Sequence, residues 1–169
     1  MSLSIAERRT ISSAAYWDDD FRKALLDEPV SVLSKTLGRP IAADTRVEFM
    51  HETDKWCFVM LDADKIDAEL PAAVDARSAV ENDVYSLLRD RPDLADAAAQ
   101  DPVGFVRSHF DIDMDGFDVD LRREGPGSAI IVLQNIEARE QLSDDMLDLV
   151  SAGGAPTTAT TTASTNRDS

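Results

Sequence analysis

The sequence predicts an α+β fold built from two helix-helix-β-hairpin units, a short C-terminal helix and a disordered polar tail. Apolar residues first recur at spacings of three and four residues, which is the period of an amphipathic helix. Shorter segments with the alternating or continuous apolar character of strands follow, and the same order of patterns then recurs further along the chain. Because two isolated strands are barely stable in water, we expect the two units to join their strands into one four-stranded sheet covered by helices.

The first unit, residues 1–75, begins with a helical pattern from Trp17 onward. Pro29 is expected to divide this pattern into two helices, because proline fits the first turn of a helix but not its interior. Gly38 is expected to end the second helix as a C-terminal cap. The alternation over 46–51 predicts a strand, and the apolar residues 56–61 predict the strand that returns beside it as a hairpin.

The second unit, residues 76–140, follows the same pattern with few identical residues. Residues 99–103 align with residues 26–30, so that Pro102 takes the place of Pro29. The distance along the chain from Pro29 to Pro102 is called the repeat offset below. The elements predicted in this unit are a connecting helix over 76–91, strands at 117–121 and 130–133, and a Gly-Pro-Gly turn at 125–127.

Charge narrows the classes of partner. The chain has a formal net charge of -16 and a sequence pI near 4.3. Such a field repels phosphate backbones, so nucleic acid is not expected as a partner, whereas a basic protein surface would be attracted. Residues 1–10 carry Glu7, Arg8 and Arg9 and contain no apolar stretch long enough for a signal peptide or membrane span. We therefore expect no membrane insertion and synthesis in the cytoplasm.

The sequence offers few residues suited to catalysis or metal binding. Cys57, the single cysteine, lies in an apolar segment and is interpreted as a buried small hydrophobe, with a reactive thiol as the alternative. His51 and His109 have no second ligand at metal spacing and are interpreted as structural or surface residues. The acidic residues in 111–116 resemble a Ca²⁺ loop, but Arg122 stands where an EF-hand needs Glu, leaving a weak Ca²⁺ site as the alternative to a plain acidic loop. We expect no metal and no cofactor.

A short helix is predicted over 141–150, where Ser143 is a suitable N-cap and acidic residues occupy the first turn. The small residues 151–154 end it. Residues 155–169 contain no large apolar residue and are expected to be disordered, because they cannot contribute to a core.

Two segments carry a resemblance to a known family: WDDDFRKALLDEPVSVLSKTLGRPI, followed by two strands, and LSDDMLDLVSAGG. Together they resemble the nitrile-hydratase-like leader peptides, the proteusin-type precursors of ribosomally synthesised and post-translationally modified peptides. The resemblance covers roughly residues 16–154, and the chain departs from the family in having two leader-like units instead of one. It implies a fold related to the nitrile hydratase α subunit and a role as a substrate rather than an enzyme.

The resemblance also implies the partners of the chain and the way in which its C-terminal peptide is released and exported. A maturation enzyme would bind the leader, and a Cys-protease domain of an ABC exporter would remove it, so that a cytoplasmic precursor yields an exported peptide. In the family, apolar residues of the last helix anchor that protease and small residues mark the cut. The matching anchors are Leu142, Met146, Leu147 and Val150, and the matching small residues are Ala152, Gly153 and Gly154. The positions of Leu147 and Val150 favour cleavage after Gly153, with cleavage after Gly154 as the alternative.

Residues 155–169 would then be the core peptide. The candidates for modification are its hydroxyl and carboxylate groups: Thr157, Thr158, Thr160, Thr161, Thr162, Ser164, Thr165 and Asp168. The absence of Cys from 155–169 excludes thiazolines and thioether rings built from its own residues. Dehydration, oxazoline formation, esters to Asp168, epimerisation and chemistry at Asn166 stay open, as does an unmodified or glycosylated tail.

Two other classes of function compete with the precursor hypothesis. The chain would be an adaptor if the folded part presented other precursors and its own tail were inert. A nitrile-hydratase-related metal enzyme is the less favoured alternative, because the metal of that enzyme is held by a cluster of three cysteines and this chain has one.

Overall fold

The computed structural model describes residues 2–53, 55–111 and 118–137. The chain divides into two compact units, Met1–Asn135 and Ile136–Ser169. Only Ile136 and Glu137 of the second unit lie among the described residues. The first unit is called the body below. No helix in the described ranges is both long and apolar enough to span a membrane.

The body is a mixture of helices and short strands, which confirms the α+β class. The order is three helices and two strands, then three helices and two strands again. The elements are α1 (Ile5–Trp17), α2 (Asp19–Asp27), α3 (Pro29–Leu37), β1 (Arg46–His51), β2 (Lys55–Met60), α4 (Ala76–Asp90), α5 (Ala95–Gln100), α6 (Pro102–His109), β3 (Asp118–Arg123) and β4 (Ser128–Leu133). Short 3-10 turns occupy Ala63–Lys65 and Pro92–Leu94.

Local sequence signals explain several element boundaries. Pro29 is the first residue of α3, and Gly38 ends that helix with φ of 64°, a left-handed conformation that favours glycine. Both predictions are confirmed, as is the strand over Arg46–His51. Helix α1 was not predicted, although Ser4 and Glu7 form a capping box at its start: the Ser4 hydroxyl accepts the Glu7 N–H, and the Glu7 carboxylate accepts the Ser4 N–H.

The strands pair differently from the prediction. β1 lies parallel to β4, from Arg46 opposite Ser128 to His51 opposite Leu133. β2 lies parallel to β3, from Lys55 opposite Asp118 onward. The predicted hairpins are therefore wrong, because neither β1 with β2 nor β3 with β4 forms a ladder. The predicted single four-stranded sheet is also wrong, since the described strands form two separate two-stranded sheets.

Side chains occupy the strand edges that a hairpin would need. The Glu124 N–H donates to Met60 O, so the backbone polar groups of Met60 face β3. Along a strand of a parallel ladder these groups point alternately to one side and the other, so those of Cys57 and Val59 face away from β3. On that edge the Cys57 N–H donates to the Glu52 carboxylate at 3.1 Å. The equivalent edge of β4 is satisfied in the same way, because the Ile130 N–H donates to the Glu124 carboxylate at 2.9 Å.

Two apolar clusters form the core and meet at β4, whose six residues are all buried. Alternate β4 side chains point to opposite faces: Ile130 and Val132 join the cluster around β2 and α4, while Ile131 and Leu133 join the cluster beneath α1, α2 and α3. β1 and β3 carry the more exposed side chains. The apolar strands thus lie inside the body and the charged strands outside.

Candidate functional site

A pocket with a volume of about 360 Å³ lies between α1 and α4. Its floor includes Val59 of β2 together with Ile130 and Val132 of β4. Its walls are side chains of the two helices, including Arg8 and Ser12 of α1 and Arg77, Glu81 and Tyr85 of α4. A pocket of this size falls within the range that binds small molecules or inserted side chains.

Helix α4 satisfies the open edge of β2. The Tyr85 hydroxyl donates to Val59 O at 2.8 Å, and Arg77 donates both to Cys57 O and, at 2.7 Å, to the Glu52 carboxylate. Because Glu52 accepts the Cys57 N–H, one carboxylate and one guanidinium together bind both backbone polar groups of Cys57. Burial raises the pKa of Tyr85 far above its ordinary value, so its hydroxyl stays protonated and remains a donor.

Helix α1 satisfies the open edge of β4 with the same kinds of contact. The Ser12 hydroxyl donates to Val132 O at 2.7 Å. Arg8 donates to Ile130 O and lies 2.7 Å from the Glu124 carboxylate, which itself accepts the Ile130 N–H. We call these two arrangements the capped edges. They explain why β2 and β4 lie in one body without forming a ladder with each other.

Arg9 links the two helices across the pocket. It lies 2.9 Å from the Glu81 carboxylate, donates to Asn82 Oδ1 at 2.6 Å and reaches Pro71 O at 3.2 Å. Each of the three arginines that line the pocket therefore has a carboxylate partner: Arg8 with Glu124, Arg9 with Glu81 and Arg77 with Glu52. The lining also includes the Asp75 carboxylate, so the pocket is lined by charged groups of both signs.

The pocket mouth, defined by Trp17 and Val74, presents two exposed hydrophobic side chains. Trp17 is 70% exposed and packs edge-to-face on Tyr16, with ring centroids 4.8 Å apart. Val74 is 87% exposed. Exposed tryptophan beside a concavity is the kind of group that contributes most to protein-protein binding. The mouth therefore offers aromatic and apolar contact.

The residues considered for chemistry lie apart from this pocket. Cys57 is buried, as predicted, and burial raises the pKa of its thiol to about 11, which keeps it a weak nucleophile at neutral pH. His51 is exposed, and His109 Nδ1 lies 2.9 Å from Phe105 O in its own helix. Among the described residues no group of three or more His, Cys, Asp or Glu side chains is placed to hold a metal ion.

The cleavage and modification residues lie outside the described residues. These are the anchors Leu142, Met146, Leu147 and Val150, the small residues Ala152, Gly153 and Gly154, and the tail candidates Thr157, Thr158, Thr160, Thr161, Thr162, Ser164, Thr165 and Asp168. Residues 112–116 of the acidic loop also lie outside, and Asp111 is described. These predictions stay predictions.

Sequence reasoning missed the capped edges. The sequence does contain a signal for the capped edge of β4. Arg8 and Ser12 lie four residues apart on the face of α1 that also buries Ile11 and Ala15. Polar residues on a buried stripe indicate partners elsewhere in the fold. Their partners are too distant in sequence for any local pattern to identify them.

The chain matches no family model, and neither the curated proteins nor the solved structures contain a match to it.

Proposed function

We propose that the chain is the precursor of a ribosomally synthesised and post-translationally modified peptide. In this proposal the body is a leader that a maturation enzyme binds, and residues 155–169 are the core peptide. One observation carries the proposal: every described residue of the two core clusters lies at or before Leu133, ahead of the cleavage-like segment. A cut near Gly153 would remove none of these residues, so the leader can bind as a folded protein before and after cleavage.

The relationship of the body to the nitrile-hydratase-like leader family is part of the same proposal. The body is a nitrile-hydratase-like leader fold that serves recognition and carries out no reaction. The resemblance of residues 16–154 supports this assignment. The balanced ion pairs of the pocket agree with a binding role, because each of its three guanidiniums already has a carboxylate partner.

The pocket mouth is the proposed contact with the maturation enzyme. Trp17 and Val74 supply apolar area, and the net charge of -16 favours a basic surface around the apolar contact of the enzyme. A leader held in this way raises the local concentration of the tail at the active site, which reduces the affinity that the tail itself must have.

Cleavage and export complete the proposal. A Cys-protease domain of an ABC exporter reads Leu142, Met146, Leu147 and Val150, cuts after Gly153 and releases the tail from a cytoplasmic precursor. The test is co-expression with a candidate maturation enzyme and exporter, followed by mass spectrometry of the tail. A modified peptide that starts at Gly154 supports the proposal, and one that starts at Ala155 moves the cut by one residue. An uncut chain with an unchanged tail mass contradicts the precursor role and favours the adaptor.

The binding contact can be tested separately on the full chain. Trp17→Ala should weaken binding of the maturation enzyme about 30-fold, the effect of losing roughly 2 kcal/mol at an aromatic contact. Leu26→Ala is the matched control, because Leu26 is a large hydrophobic residue, 42% exposed, that does not line the pocket. Equal effects of the two substitutions would argue against the pocket mouth as the contact.

A further inference from the structure

We propose that residues 4–60 and 77–133 are two copies of one unit that bind each other as an internal, strand-exchanged dimer. The partner that each half requires is therefore a second copy of the same unit. This inference concerns the body alone and does not depend on the precursor role.

The strand pairing has the symmetry of such a dimer. If the first half is exchanged with the second, β1 becomes β3 and β2 becomes β4, so the β1-β4 ladder becomes the β3-β2 ladder. Both ladders are parallel and six residue pairs long. The helix order also agrees, because Pro29 starts α3 and Pro102, its equivalent at the repeat offset, starts α6.

The buried faces of the first helix in each half match at five positions, and α4 buries a sixth residue, Val80, that has no buried equivalent in α1. Five buried residues of α1 are each carried onto a buried residue of α4 by the repeat offset that carries Pro29 onto Pro102. The five pairs are Ile5 with Ser78, Arg8 with Glu81, Ile11 with Val84, Ser12 with Tyr85, and Ala15 with Leu88. The side chains differ in type, so the correspondence is one of position and burial, as expected of copies that have diverged.

The capped edges are the most specific match. Ser12 and Tyr85 are equivalent at the repeat offset, and each donates a hydroxyl hydrogen bond to a backbone carbonyl of the opposite half. The two acceptors, Val132 and Val59, are themselves equivalent at the same offset. Similarity of fold class alone does not require this coincidence. An exchange of strands between two copies of one unit does require that equivalent donors bind equivalent acceptors.

The two carboxylates of the capped edges, Glu52 and Glu124, also each form an ion pair with the opposite half. Glu52 follows β1 directly and accepts the Cys57 N–H, while Glu124 follows β3 directly and accepts the Ile130 N–H. Each carboxylate is held by an arginine of the opposite half, Glu52 by Arg77 and Glu124 by Arg8. The arginines occupy different positions in α4 and α1, so this part of the match is one of chemistry rather than of register.

Neither half can therefore complete its fold alone. Each strand forms its ladder with a strand of the other half, and each capped edge receives a guanidinium of the other half. The pocket is lined from both halves and exists only when they are joined. A separated half would expose unpaired strand edges to water.

The test uses the full chain with a protease recognition sequence inserted between Ala72 and Ala73, which are exposed in the connection between the halves. The uncut insertion variant is the control and should keep the circular dichroism of the parent. After cutting, the two fragments should elute together with an unchanged spectrum and separate only in denaturant. When the fragments are separated and refolded individually, neither should give a folded monomer, whereas mixing should restore the spectrum.

A fragment that refolds alone as a monomer would overturn the exchange. The equivalence is tested with Ser12→Ala and Tyr85→Phe, each of which removes one hydroxyl donor. Each should raise the ratio of unfolded to folded protein about fivefold, the effect of one lost hydrogen bond. Thr10→Ala is the control, since the Thr10 hydroxyl bonds within its own helix on the exposed face. If only one of the two substitutions is destabilising, the capped edges are not equivalent.

Discussion

The ion pair between Arg8 and Glu124 gives the sharpest stability prediction. The two side chains are 8% and 1% exposed and lie 2.7 Å apart. Arg8→Met keeps the aliphatic length of the side chain and removes the guanidinium, so a buried carboxylate loses its counter-charge and Ile130 O loses its donor. Breaking one partner of a buried pair costs about 3–5 kcal/mol, mainly because the remaining charge stays desolvated. We expect a loss of that size in the free energy of unfolding.

Arg91 provides a control at the same distance. Its guanidinium lies 2.7 Å from the Asp93 carboxylate, but the two side chains are 58% and 60% exposed. Arg91→Met should leave stability nearly unchanged, because water and salt screen an exposed pair. The measurement is urea unfolding at pH 7, followed by circular dichroism. The double variant Arg8→Met with Glu124→Leu should recover part of the loss, since it removes the stranded charge. A loss below about 1 kcal/mol for Arg8→Met would refute the reasoning from burial.

Three further predictions concern a carboxyl group, a thiol and a glycine. The hydrogen bond from Arg39 lowers the pKa of Glu7 below its ordinary value of 4.5, so its contribution to stability is present above that pH and is lost as pH falls through the lowered pKa. Glu7→Gln should therefore flatten the acid side of the stability curve, and an unchanged curve would contradict this. The Cys57 thiol, with its pKa raised to about 11, should react slowly with a disulfide reagent at pH 8 in the folded chain and quickly in urea. Gly38→Ala should cost about 1–2 kcal/mol from backbone strain alone, because φ is +64° and nothing crowds the new Cβ, whereas Gly125→Ala should be tolerated.

Local patterns predicted several elements because the forces that set them act over a few residues. Pro29 and Gly38 bound α3 through backbone geometry, and β1 follows the alternation of its side chains. The same reasoning failed for α1, whose buried stripe contains Arg8 and Ser12 and therefore lacks the apolar spacing of an amphipathic helix. The capping box of Ser4 and Glu7 was a usable signal that a search for apolar periodicity overlooked.

The strand pairing could not be predicted in this way. A connection of three residues between β1 and β2 favours a hairpin on local grounds. Whether β1 and β2 form a hairpin depends on whether the backbone groups at the edge of β2 are free to pair. The side chains of Glu52 and Arg77 already form hydrogen bonds with those groups. Competition of this kind between a backbone ladder and side-chain hydrogen bonds is decided by the whole fold.

The sequence by itself determined the α+β class, most helix and strand positions and the acidic charge, because composition and short-range periodicity control them. It also provides the resemblance from which the cleavage and modification residues are predicted. Only the tertiary structure decided which strands pair and that a pocket forms between α1 and α4. The reason is distance along the chain: Arg8 reaches Glu124 across 116 residues and Ser12 reaches Val132 across 120, so burial and hydrogen bonding join groups that no local pattern connects.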